Sequence, residues 1–171
     1  MTPEQRGFFE TFGYIGMPGL LADDIDEIIN AFEEIWAANG GGHAGKMHEG
    51  TARSCIAQFL DHHPRLCALL DDPRILSIAT SLCDDNFNYM GSDGNYYVGD
   101  TGWHSDGWHP EIRHIKIAFY LDPLTKDTGG SASDSPAAIV LAKAIPRSCR
   151  LTCAIAGING ISPVRRFPPL L

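Results

Sequence analysis

Apolar residues recur at two different periods along this chain, and the change between them comes near residue 86. From Pro3, the aromatics Phe8, Phe9 and Phe12 fall at i, i+1 and i+4, the spacing of one helix face. Gly13-Tyr14-Ile15 then reads as a short strand. Leu21-Ala22-Asp23 begins a second helix with an acidic first turn, continued by Ile25, Ile28, Ile29, Phe32, Ile35 and Trp36 at helical spacing. Asn39-Gly40-Gly41-Gly42-His43 is a loop. Two further helices are expected over 51–70 and 73–83. The second opens at Asp72-Pro73, a natural cap and first position, with a face of Ile75, Leu76, Ile78, Ala79 and Leu82.

After residue 86 the period shortens. Phe87, Tyr89 and Met90, then Asn95-Tyr96-Tyr97-Val98, read as short strands separated by Gly91 and Gly94. Residues 114–121 alternate: Ile115, Ile117, Phe119 and Leu121 point one way, and His114, Lys116, Ala118 and Tyr120 the other. Asp122-Pro123 ends that strand. Helices first and strands after predict an α+β protein with a sandwich or barrel core. Beyond Gly130 the pattern dissolves. Residues 137–144 fit a helix turn or a strand equally well, and 151–158 is a weak apolar run.

Composition marks the same place. Residues 1–130 carry 20 acids against 8 bases, a balance of -12, and 15 aromatics. Residues 131–171 carry Asp134 alone against five bases (Lys143, Arg147, Arg150, Arg165, Arg166), a balance of +4, with Phe167 their one aromatic. Two segments of different composition meet near Gly130. The overall charge of -8 argues against a nucleic-acid partner. No window approaches the roughly 18 uninterrupted apolar residues of a membrane span. The first residues lack the layout of a secretory signal. Five scattered cysteines form no CxxC pair and read as reduced thiols. A cytoplasmic protein is expected.

The chemistry concentrates in Asp100-Thr101-Gly102-Trp103-His104-Ser105-Asp106-Gly107-Trp108-His109-Pro110. Residues two apart on a strand share a side, so His104 and Asp106 can offer a nitrogen and a carboxylate oxygen to one metal. Such a pair with a distant histidine makes the two-histidine, one-carboxylate facial triad of non-haem iron(II) oxygenases. Alone, His-x-Asp is a weak signal. His62-His63 before Pro64 reads as a helix-end pair. His114 and Lys116 read as solvent-facing or structural.

The run Gly102-Trp103-His104-Ser105-Asp106, the strand to Tyr120-Leu121-Asp122, and Thr128-Gly129-Gly130 together resemble the phytanoyl-CoA dioxygenase family. The resemblance covers roughly residues 5–130, and 102–130 is its most specific part. It implies N-terminal helices followed by a double-stranded β-helix of the jelly-roll kind. It also implies Fe(II) as metal, 2-oxoglutarate as co-substrate, O₂, and a small organic or acyl substrate that is hydroxylated. His104 and Asp106 match two iron ligands. Tyr97 and Thr101 lie where the family often places co-substrate contacts. Trp103, Trp108 and His109 are candidates for the substrate pocket.

The family pattern then breaks. It requires a second histidine downstream and, beyond it, an arginine for the distal carboxylate of 2-oxoglutarate. The chain has no histidine after His114, and nothing around Arg165 and Arg166 resembles the arginine-bearing strand. Ser135-Pro136-Ala137-Ala138-Ile139-Val140 can be encoded by TCC-CCG-GCA-GCC-ATC-GTC. Two nucleotides on, those codons read Pro-Gly-Ser-His-Arg, the family motif expected just after Gly130. The expectation is therefore a partial dioxygenase-like domain over 1–130. The tail over 131–171 is expected to be out of frame and poorly ordered. Such a chain, truncated or frame-shifted, would be marginally folded and inactive alone, because lost strands leave open sheet edges. Two alternatives compete with this reading. One is a non-catalytic remnant or binding module of the same fold, and the other a zinc hydrolase that recruits His109 beside His104 and Asp106.

Overall fold

Thr2 starts the first helix in the way its sequence prescribes. Its hydroxyl accepts from the Gln5 N–H at 3.2 Å, and the Gln5 side chain accepts from the Thr2 N–H at 2.8 Å, a reciprocal capping box. Pro3 occupies the first turn, where its missing N–H is no loss. Helix α1 (Pro3–Phe12) ends at Gly13, whose φ of 78° and N–H bond to the Phe9 carbonyl form a left-handed cap. Strand β1 (Tyr14–Met17) follows at once. The computed structural model describes residues 1–40, 47–83, 87–96, 113–122, 138–144 and 153–156.

Helix α2 (Ile25–Ala38) starts later than the sequence suggests, because Ala22–Asp24 form a 3-10 turn ahead of it. Its stripe of Ile28, Ala31, Phe32, Ile35 and Trp36 is buried as expected. The helix expected over 51–70 does not form. Strand β2 (Ser54–Ala57), a 3-10 turn (Phe59–His62), the short helix α3 (Pro64–Cys67) and a second 3-10 turn (Ala68–Asp71) stand in its place. Two local causes are visible. Gln58 adopts a left-handed φ of 53°, which a helix cannot contain. Pro64 has no N–H for a helix interior and so opens a new one. Helix α4 (Pro73–Cys83) follows its predicted bounds, burying Ile75, Ile78, Ala79 and Leu82.

The remaining elements are strands: β3 (Phe87–Gly91), β4 (Asp93–Tyr96), β5 (Arg113–Tyr120), β6 (Ala138–Ala144) and β7 (Cys153–Ala156). Gly94 lies inside β4 and does not separate strands. A Cβ there would overlap the ring of Phe59, so the close approach of turn and strand requires glycine. Strands β2 and β4 pair antiparallel, Ser54 opposite Tyr96 and Ala57 opposite Asp93.

The other five strands form one mixed sheet in the order β1-β6-β5-β7-β3. Strand β6 runs antiparallel to both neighbours, with Ile15 and Ile117 both opposite Leu141. Strand β7 runs parallel to β3 and β5, with Phe87 and Arg113 both opposite Cys153. Every pairing in this sheet joins a strand before residue 130 to one after it. The stretch at 137–144, ambiguous by pattern, is a strand, and 151–158 contributes β7.

One core connects the layers. Phe9, Leu21, Ile28, Trp36, Phe59, Leu66, Leu69 and Leu82 of the helical part cluster with Ile115, Ile117 and Phe119 of β5 and with Leu121 just after it. The alternation read from β5 is correct on that side. Ala118 is buried on the opposite side as well, so part of β5 is covered on both faces. The class is α+β. Among the described residues no helix is long and apolar enough to cross a membrane. Cys55 and Cys67 carry free thiols as expected, whereas Cys83 at the end of α4 is disulfide-bonded, against the expectation of five reduced thiols.

Candidate functional site

The sequence placed the candidate metal ligands between two strands, and β4 and β5 are those strands. Strand β4 ends at Tyr96 and β5 begins at Arg113. The ligands His104 and Asp106, the co-substrate candidates Tyr97 and Thr101, and the pocket candidates Trp103, Trp108 and His109 lie outside the described residues. What the structure does describe is the frame to which that segment is attached.

On the β4 side the frame is polar and aromatic. Asn95 is fully buried, and its side-chain oxygen accepts from Arg53 Nε at 2.8 Å across the β2–β4 ladder. Arg53 Nη2 also reaches the Cys55 sulfur at 3.6 Å. Burial pushes the Cys55 thiol pKa up, Asp93 adds to the rise, and Arg53 opposes it, so the neutral thiol is favoured. The Tyr96 hydroxyl donates to Glu33 Oε2 at 2.8 Å, tying β4 to helix α2. The Tyr96 ring packs on Trp36 at 4.6 Å between centroids and stacks on His48 at 5.1 Å.

His48 completes this cluster through a 2.8 Å contact between its Nδ1 and the Ser54 hydroxyl. Burial holds its imidazole below the usual histidine range, so the neutral ring is favoured near pH 7. Phe32 and Phe59 close the aromatic group from the core side, 4.9 Å apart. The Trp36 indole N–H is buried with no hydrogen-bond partner among the described residues. The arrangement anchors the start of the segment leading to His104. The Arg53 and Glu33 hydrogen bonds and the ring contacts of Tyr96 with Phe32, Trp36 and His48 help fix Asn95 and Tyr96, the last described residues before it.

On the β5 side, Ile115 and Ile117 are buried in the core, and Lys116 is half-buried between them in sequence. His114 lies opposite Ala144 of β6 and Ala154 of β7. His63 behaves as the helix-end residue the sequence suggests. Its Nδ1 accepts from the Arg65 N–H at 3.1 Å and caps α3, while Nε2 lies 3.3 Å from Glu34.

A second charged cluster stands on the helical side. Asp24, just before α2, accepts from Arg65 of α3 at 2.6 Å and from Arg74 of α4. Arg65 Nε also binds Glu27 at 2.7 Å, and Arg74 binds Asp72 at 2.6 Å and the Leu20 carbonyl at 3.2 Å. The Arg74 hydrogen bonds hold the Asp72 carboxyl below its usual range, and those to Asp72 and Asp24 raise Arg74 in turn. Each charge here is satisfied by an opposite charge, so the cluster is a clamp between helices.

His48, Arg53 and Asn95 were not singled out by sequence. Arg53 and Asn95 are 42 positions apart and belong to no motif, so only strand pairing brings them together. Among the described residues no group of three His, Cys, Asp or Glu side chains converges to hold a metal ion. No histidine follows His114 in the sequence. No known protein family, no curated protein and no solved structure matches the chain.

Proposed function

We propose that this chain derives from a non-haem iron(II), 2-oxoglutarate-dependent dioxygenase of the phytanoyl-CoA dioxygenase family, and that it is inactive by itself. The observation that carries the reading is the run Gly102-Trp103-His104-Ser105-Asp106 placed between β4 and β5, with Thr128-Gly129-Gly130 after it. The parent fold is a double-stranded β-helix behind N-terminal helices. In that parent, His104 and Asp106 would hold iron, and Tyr97 and Thr101 would contact 2-oxoglutarate. Trp103, Trp108 and His109 would line the pocket of a small organic or acyl substrate. The bound metal would supply oxygen activation for hydroxylation of a C–H bond.

Inactivity follows from the donor count. His104 and Asp106 would be the iron's two protein ligands, one short of the three the family uses, and no segment resembles its strand bearing the arginine for the distal carboxylate. A reading frame shifted after about residue 130 accounts for both losses at once. A non-catalytic remnant or binding module of the same fold is the second reading, favoured by the absence of any histidine after His114.

Anaerobic titration of Fe(II) into the purified chain with 2-oxoglutarate tests this. The expected result is no visible charge-transfer band from this chain. The band should appear in a variant whose residues after 130 are replaced by the reframed tail. A band from the unaltered chain would show that its site is complete and would overturn the proposal of inactivity. No band from either would leave the remnant reading standing and remove the enzyme-derived one. The nucleotide sequence of the gene gives an independent check, since codons unable to yield Pro-Gly-Ser-His would sink the shifted frame.

A further inference from the structure

We draw no further inference here: the strongest candidate, the exposed aromatic patch of Phe8, Phe12 and Tyr14 beside the outer strand β1, is an apolar face with nothing in the structure to show what covers it.

Discussion

The helical part and the five-stranded sheet of this protein are held together in opposite ways. Helices α1 to α4 lie within the first 83 residues, each with its own start signal, and the ion-pair clamp between them is drawn from that same stretch, while their core also takes in Ile115, Ile117 and Phe119 of β5. The sheet has no pairing that stays within either segment. Strands β1, β5 and β3 come from the acidic, aromatic-rich segment, and β6 and β7 fill the gaps between them from the basic segment after residue 130. A helix satisfies its backbone within itself, whereas a strand depends on a neighbour that can lie far away in sequence. A change in the tail therefore acts on the sheet directly and on the helices only through the β5 residues that share their core.

Ending the chain after Gly130 should break this comparison most severely. Without β6 and β7, strands β1, β5 and β3 have no partners in that sheet, and their backbone groups become exposed. Far-UV circular dichroism should retain helical signal while the cooperative thermal transition is lost. If the shortened chain melts as the full one does, the interleaved sheet is wrong and the tail is dispensable.

Within the helical part, the largest single effect is expected at Trp36. Replacing it with alanine removes a ring packed on Phe32, Phe59 and Tyr96 and should lower stability by about 3–5 kcal/mol in denaturant unfolding. Trp36→Phe separates packing from polarity. It keeps a ring and removes the buried N–H that has no partner among the described residues, so it should fall within about 1 kcal/mol of the parent or exceed it. A loss as large as that of the alanine variant would mean the indole N–H has a partner after all.

Gly94→Ala probes the join between the two-stranded sheet and the helical core. The added methyl meets the Phe59 ring, and relief requires movement of a fully buried side chain. A loss of about 1–3 kcal/mol is expected. An unchanged melting temperature would mean that β4 and the Phe59 turn are not in close contact.

The ion-pair clamp should give the smallest effects. Asp24→Asn removes the negative charge shared by Arg65 and Arg74, both partly exposed, and one of its two acceptor oxygens, and should reduce stability by about 1 kcal/mol, less in high salt. Asp72 sharpens the point through pH. Its folded pKa is depressed, so its contribution is present above the unfolded carboxyl value of about 3.9 and fades as pH falls through the folded value. Parent and Asp72→Asn chains should therefore differ at neutral pH and converge in acid. A difference that persists in acid would assign the effect to the side-chain cap on Arg74 rather than to charge.

The amino-acid sequence alone determined whatever depends on neighbours a few positions away. The stripe of α2, the Pro73 start of α4 and the alternation of β5 are local and were read from the sequence, while the capping box at Thr2 and Gln5 and the Gly13 stop are equally local but were not singled out. The chemistry of the candidate ligands is also local, since His104 and Asp106 are two positions apart. The stretch at 51–70 went the other way. Its apolar residues suit a helix, but pairing of Ser54–Ala57 with Asp93–Tyr96 and the turn at Gln58 override that preference. Only the tertiary structure could place Gly94 under Phe59, bring Arg53 onto Asn95, or set β6 and β7 between earlier strands. Those contacts join residues dozens of positions apart, and no periodicity within either partner records the distance between them.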